Sequence, residues 1–280
     1  MNREKRVSLA QETVDILSKG HYTAPSGRVI DIAAELERAV SGSRLYRGDD
    51  FPGELKSVGH HQTFIEVTSE TTLEAARRVA STDSNPLCLN YASARNPGGG
   101  FLSGAQAQEE SLARSSGLYP CIVQMAEMYE HNRRLTTCLY SDLMIYSPGV
   151  PVFRQDSGHL LENPFCAGFI TAPAVNAGAV RRNERAKTHL IRSVMETRLL
   201  KVLWLAAEHE HSALILGAWG CGVFDNDPQM IAGLFADALD GPFYHRFERI
   251  VFAVYDRSAS QKDFRAFQNR FAAVGETEKQ

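Results

Sequence analysis

Residues 90–119 read NYASARNPGGGFLSGAQAQEESLARSSGLY, and the rest of the chain can be read outward from them. The apolar run Leu87–Tyr91 predicts a buried strand that breaks at Asn96-Pro97 and at three glycines, Gly98, Gly99 and Gly100. Glycine has no Cβ and tolerates positive φ, so such a loop can approach a ligand closely and turn its N–H groups toward an anion. Small residues then lead to Gln108-Glu109-Glu110, and the spacing of Leu112, Ser116 and Tyr119 predicts a helix from that point. Neighbouring side chains diverge by about 100° on a helix, so Glu109 and Glu110 are not expected to point at one atom. One can do chemistry while the other holds substrate.

Upstream, residues 63–67 read as a strand and 71–80 as a helix with a threonine-rich start, giving a βαβ unit with the strand at 87–91. Glu66, at the end of the first strand, reads as a solvated charge, with contact to an adenine edge as the alternative. Downstream, the helix is expected to run on through Met128, HNRRLTT to turn, 143–146 to form a strand and SPGVPVFRQD to end it. A strand at 165–171 and a long helix within 181–207 follow. The strand at 213–216 runs into GAWGCGVFDNDP, whose Gly217, Gly220 and Gly222 form a second close-approach loop before a helix begun by Asp227-Pro228. Two glycine-rich loops at strand ends frame a pyrophosphate site. A strand at 250–255 and a helix at 258–271 close the pattern.

At the N-terminus, Val7, Ala10, Thr13, Val14 and Leu17 recur at helical spacing up to Gly20. Residues 21–32 read as two short strands around Pro25-Ser26-Gly27, and 31–40 as a second helix. The expected organisation is a helical extension over 1–50 that braces a core at 51–275, in one domain overall, with a disordered tail at 276–280. The βα alternation predicts a three-layer α/β/α fold around a mixed sheet.

A chain of 280 residues with 44% hydrophobic composition can bury a full core. Its formal net charge of -3 argues against a broad basic face, hence against direct DNA binding, while a polyanion can still be met by backbone N–H groups and helix N-termini. The N-terminus has no apolar core of signal-peptide length and no stretch of about 18 apolar residues occurs, so the expectation is a soluble cytoplasmic protein without a membrane partner. Five cysteines form no C-x-x-C pair and read as reduced, mostly buried thiols. His60-His61 are adjacent and diverge, while His209 and His211 lie in EHEH at the polar end of a helix. Both pairs read as solvated surface, with no metal site and no cofactor expected.

Three glycines, seven intervening residues and Gln-Glu-Glu, together with Asn90, Asn96 and the distant GAWGCGVFDNDP, resemble the bacterial type of poly(ADP-ribose) glycohydrolase. That resemblance implies a macrodomain fold and hydrolysis of the ribose–ribose O-glycosidic bonds of poly(ADP-ribose), releasing ADP-ribose. It implies that Glu110 protonates the departing ribose hydroxyl and then takes a proton from water, and that Glu109 and Asn96 hydrogen-bond the hydroxyls of the reacting ribose. Gly98, Gly99, Gly100, Gln108, Gly220, Cys221, Gly222, Val223 and Phe224 complete the substrate-binding set it implies. The partners implied are ADP-ribose, its polymer and ADP-ribosylated proteins as substrates, met by a monomer. A non-catalytic macrodomain that only binds ADP-ribose is the alternative, although such readers generally lack the Gln-Glu-Glu. A Rossmann-type NAD enzyme would need G-x-G-x-x-G, which Gly217, Gly220 and Gly222 do not form.

Overall fold

Along residues 87–91, Leu87 and Leu89 enter one hydrophobic core while Cys88 enters another, and the other central strands alternate in the same way. Side chains of a strand point alternately to its two faces, so a sheet with this pattern must be covered on both sides. The computed structural model describes residues 1–51, 59–82 and 85–272; the tail expected at 276–280 lies outside them.

In chain order α1 (Arg3–Lys19) precedes the hairpin of β1 (His21–Thr23) and β2 (Val29–Asp31), followed by α2 (Ala33–Gly42) and β3 (Arg44–Tyr46). Next come β4 (Phe64–Thr68), α3 (Thr72–Ala80), β5 (Leu87–Tyr91), α4 (Gln108–Ser115), α5 (Leu118–Val123) and α6 (Ala126–Arg134). The long strands β6 (Met144–Arg154) and β7 (Leu160–Ala172) lead to α7 (Ala177–Asn183), α8 (Ile191–Glu208) and β8 (Ala213–Leu216). Finally α9 (Pro228–Asp240), β9 (Arg249–Ala253) and α10 (Lys262–Phe271) are formed.

The main sheet has the order β3-β6-β7-β5-β8-β9-β4. Neighbours from β7 to β4 are parallel, while β6 is antiparallel to β7 and β3 to β6. The sheet is therefore mixed, with α7 to α10 packed over one face and α2, α3, α5 and α6 over the other. All the parallel strands end at one edge, where α/β sheets place their ligands. β4, α3 and β5 do follow one another, but β8 and β9 lie between the two strands in the sheet.

Several boundaries differ from the sequence reading for local reasons. The helix from Gln108 stops at Ser115, because Ser116 is extended and bridges to Val152. Two further helices then replace one long one, and α6 absorbs His131 to Arg134, part of the expected turn. β6 continues through Pro148, Gly149 and Pro151 because its register slips between Ser147 and Val150, a bulge that accommodates prolines within the ladder. Residues 181–207 hold the end of α7, a 3-10 stretch and α8. Glu66 accepts from Arg78 at 2.9 Å, so it is an ion-paired charge.

The EHEH segment is not solvated surface. His211 is buried, its Nε2 2.9 Å from the Tyr146 hydroxyl and its Nδ1 3.0 Å from the Asn85 carbonyl. His209 stacks on Tyr146 with centroids 3.5 Å apart, and burial, then His211, push its pKa down to about 4. An imidazole with aromatic and hydroxyl partners can enter a core, which residue type alone did not reveal.

The N-terminal segment grips the stretch that follows β5. Arg3 and Arg6 donate to the carbonyls of Ser103 and Gly104, and the Thr13 hydroxyl donates to the Arg114 carbonyl at 2.5 Å. Buried Arg154 ties the same carbonyl to Glu12 of α1. On the far side of the sheet, Arg198 of α8 is fully buried and donates to the carbonyls of Pro173, Leu139 and Tyr140, with Asp142 as its ion-pair partner at 2.9 Å. Asp142 keeps Lys201 as a partner at 2.7 Å, but the three carbonyls lose their donor, and leaving such buried groups unsatisfied costs about 1–3 kcal/mol. Arg198→Ala should therefore lower the unfolding free energy by that amount in urea titration; a loss under about 1 kcal/mol would contradict the anchoring role.

Candidate active site

Where β5 leaves the sheet, its backbone needs a partner. β8 pairs with β5 only at Leu87 and Cys88, so Leu89 and Tyr91 present groups on that side beyond the end of the pairing. The Gln108 amide fills the gap: Nε2 donates to the Leu89 carbonyl at 2.8 Å and to Thr72 Oγ1 at 3.1 Å, and Oε1 accepts from the Tyr91 N–H at 2.9 Å. Gln108 thus clamps the start of α4 to the end of β5 as a strand would. Its amide is engaged by protein, which opens to it a positioning role in place of the expected contact with substrate.

That clamp fixes where the next two side chains go. Glu109 turns inward and is 3% exposed, while Glu110 is half-buried at the surface of the same turn. Ser93 N–H donates to Glu109 Oε2 at 2.7 Å, and Asn90 Nδ2, shared with Thr171, lies 3.4 Å from Oε1. Burial raises the Glu109 pKa to about 8; Ser93, Asn90 and the Gly98 N–H oppose the shift and Glu110 adds to it. The hydroxyl of Tyr129, a buried residue, has no hydrogen-bond partner among the described residues and lies in the field of Glu109.

The triple glycine folds over both carboxylates. Gly99 adopts φ +59°, and a Cβ there would run into the Glu110 carboxylate and sit 3.3 Å from Glu109 Oε2. Although the two side chains diverge along the helix, the loop brings itself against both. Its N–H groups are not free for an outside anion: Gly98 faces Glu109, Gly100 donates to Glu110 Oε1 at 3.0 Å, and Gly99 bonds the Asn96 carbonyl. The expectation that this loop offers N–H groups to a pyrophosphate is thereby corrected, since the anions it meets are the chain's own. Asn96 is exposed, and its side-chain amide makes no hydrogen bond among the described residues.

The second loop is built differently. Trp219 Nε1 ties it to the Ala172 carbonyl at the end of β7, and Asn226 closes it through Gly220 and Val175. Gly220, at φ +75°, is packed so that a Cβ would press on Ala174 and Asn226, whereas a Cβ on Gly222 would meet nothing within 4 Å. The N–H groups of Gly222, Val223 and Phe224 make no hydrogen bond among the described residues, and Val223 is 87% exposed. Consecutive backbone N–H groups without internal partners on an exposed turn are the kind of group from which anion sites are built. The Cys221 thiol is driven well above its usual pKa by burial, which makes it a poor nucleophile.

The family described as microbial-type PARG, catalytic domain, matches residues 10–155. The chain is 49% identical to poly(ADP-ribose) glycohydrolase from Thermomonospora curvata, covering 96% of this chain and 100% of that one with a TM-score of 0.92. This chain belongs to the microbial-type poly(ADP-ribose) glycohydrolase family. The Thermomonospora curvata enzyme bound to the inhibitor ADP-HPD matches at 50% identity, with the same coverage and a TM-score of 0.91. The glycohydrolase from Deinococcus radiodurans in complex with ADP-ribose matches at 41% identity, over 85% of this chain and 98% of that one, with a TM-score of 0.78. No curated protein matches the chain.

Of the residues around Glu109, Asn90 belongs to the motif that carries the resemblance, whereas Ser93 and Tyr129 left no signal in the sequence.

The raised Glu109 pKa has a consequence for stability. Between its ordinary value of 4.5 and about 8 the folded state holds a proton that the unfolded state has lost, so stability falls as pH rises through that window. The full difference is ~5 kcal/mol at 1.36 kcal/mol per pKa unit. Glu109→Gln cannot ionise and should flatten this decline in chemical denaturation from pH 5 to 9. Parallel pH profiles for the two proteins would show that Glu109 titrates normally.

Proposed function

We propose that the chain hydrolyses the ribose–ribose O-glycosidic bonds of poly(ADP-ribose), releasing ADP-ribose, and that the two glycine loops with Gln108-Glu109-Glu110 form its active site. The observation that carries this reading is the division between the loops: one encloses two carboxylates at the start of α4, the other presents three unused N–H groups. A substrate diphosphate on Gly222, Val223 and Phe224 places its terminal ribose toward the carboxylates.

Glu110 is the general acid and base in this scheme. Gly100 holds its Oε1, and Oε2 makes no hydrogen bond among the described residues, which leaves it for chemistry. Its proton passes to the ribose oxygen as the C–O bond breaks; the bonding pair leaves with that oxygen, and the ribose left behind has oxocarbenium character. Ordinary glycosidases place a second carboxylate against such a cation. Here the substrate's own diphosphate supplies negative charge from the other side. Water then adds to the cation and returns a proton to Glu110. Glu109, a carboxyl with a raised pKa, can donate to a ribose hydroxyl as well as accept from one. The exposed amide of Asn96 serves the same sugar, and the Phe224 ring packs against it. The chain acts as a monomer, its N-terminal 1–50 segment bracing the core at 51–275.

Incubation with automodified polymer tests the activity directly: free ADP-ribose should appear, and binding without release would leave a reader of ADP-ribose instead. Gly222→Val tests the second loop. Its side chain has room within the protein, so the fold should survive while ADP-ribose affinity, measured by calorimetry, falls at least tenfold, about 1.4 kcal/mol. Unchanged affinity would remove this loop from the site.

A further inference from the structure

Tyr140 is the residue on which the two loops converge. Its ring lies 6.0 Å from that of Phe224, in the second loop, and the guanidinium of Arg95, in the first, sits over it at 5.8 Å. The Asn176 side chain approaches its hydroxyl. The backbone is left-handed at φ +60°, a conformation that costs a bulky residue free energy and persists only where the surroundings impose it. Here Arg198 grips the carbonyls on either side of that φ, and Glu184 accepts from the Cys138 N–H at 2.6 Å. Tyr140 also lines a cavity of about 690 Å³ together with His131, Thr137, Ser141, the ion-paired Asp142 and Thr197 of α8. Arg95 and Arg133 stand exposed at this end of the first loop, where Arg133 donates to the Arg95 carbonyl; neither takes part in an ion pair among the described residues.

We infer that this cavity takes the penultimate unit of the polymer, the nucleotide on the leaving side of the bond that is cut. The inference rests on the proposed hydrolysis of poly(ADP-ribose). When the terminal ADP-ribose is released, the departing hydroxyl belongs to the adenosine of the next unit. That adenosine must leave the cleft past whatever borders the reacting ribose, and Tyr140, in contact with Phe224, is that border. An aromatic ring topped by a guanidinium is a stacking platform for a purine. The volume suits a nucleotide-sized ligand, and Arg95 and Arg133, which stand beside Tyr140 outside the cavity's lining and in no ion pair among the described residues, can meet its diphosphate where it leaves the cavity. The strained backbone of Tyr140 is then the means of presenting one ring to both spaces.

Two substrates separate this subsite from the site of the released unit: automodified polymer, and an ADP-ribose conjugate whose leaving group is a small phenol with no nucleotide. Arg95→Ala and Tyr140→Leu should lower kcat/KM on polymer relative to the phenol conjugate by roughly tenfold, the size of one lost base stack, mostly through KM. Thr197→Trp fills the cavity from the exposed face of α8 without touching Phe224, and it should shift the same ratio. Equal losses on both substrates, or no change in the ratio for Thr197→Trp, would overturn the inference while leaving the activity in place. A wild-type protein that releases no ADP-ribose from polymer would instead overturn the functional reading, and this inference with it.

Discussion

A carboxyl group buried at the C-terminal edge of a parallel sheet is the constraint on which the site depends. Glu109 is 3% exposed, and isolated charge in such a place is too costly to keep. The chain answers with a Ser93 N–H, an Asn90 amide and a glycine loop laid over the top, and with a pKa near 8 that lets the group stay neutral. Gly99 is required there twice over, by its positive φ and by the carboxylates that occupy the space of a Cβ. Once the loop is committed to the carboxylates its N–H groups are used within the protein, whereas the N–H groups of Gly222, Val223 and Phe224 make no hydrogen bond among the described residues.

The remaining structure keeps these two loops in register. Gln108 completes the hydrogen bonding of β5 where β8 has stopped, so that α4 begins at a fixed height above the sheet. Asp156, at the turn between β6 and β7, accepts from both Thr71 and Ser111 at 2.6 Å and so joins the starts of α3 and α4. From outside, α1 holds the 103–104 backbone through Arg3 and Arg6. Trp219 and Asn226 do for the second loop what Gln108 does for the first. Each ties its loop to a neighbouring element through side-chain hydrogen bonds, which restricts motion at the sheet edge, although Asn226 Oδ1 has no partner among the described residues.

Much of this was legible in the sequence because it follows from local rules. Short apolar runs marked the strands at 87–91 and 213–216 to the residue, and Asp227 with Pro228 marked a helix start that forms as read. Gly20 ends α1 in the left-handed conformation, as its position suggested. What was hidden is non-local. Ser116 breaks the Gln108 helix only because Val152 is there to pair with it, and β6 passes two prolines only because a bulge shifts its register. The direction of the glycine-loop N–H groups depends on where Glu109 and Glu110 come to rest, so no reading of GGG alone could distinguish an anion from outside from one within. Tyr140 carries no motif at all; its importance comes from neighbours about 45 residues before it and more than 80 after it in the chain.

The central claim is that the two adjacent glutamates differ in kind, one half-buried with a carboxylate oxygen left for proton transfer and one buried for holding the sugar. Single-turnover release of ADP-ribose from polymer by Glu110→Gln and Glu109→Gln, with ADP-ribose affinity measured beside it, addresses this most directly. Glu110→Gln should bind ADP-ribose nearly as the wild type does while its rate falls by ~10²–10⁴, the loss typical of general acid–base catalysis. Glu109→Gln should weaken binding as well and keep residual turnover. If Glu110→Gln retained substantial activity while Glu109→Gln had none, the roles would be reversed and the account of the site contradicted.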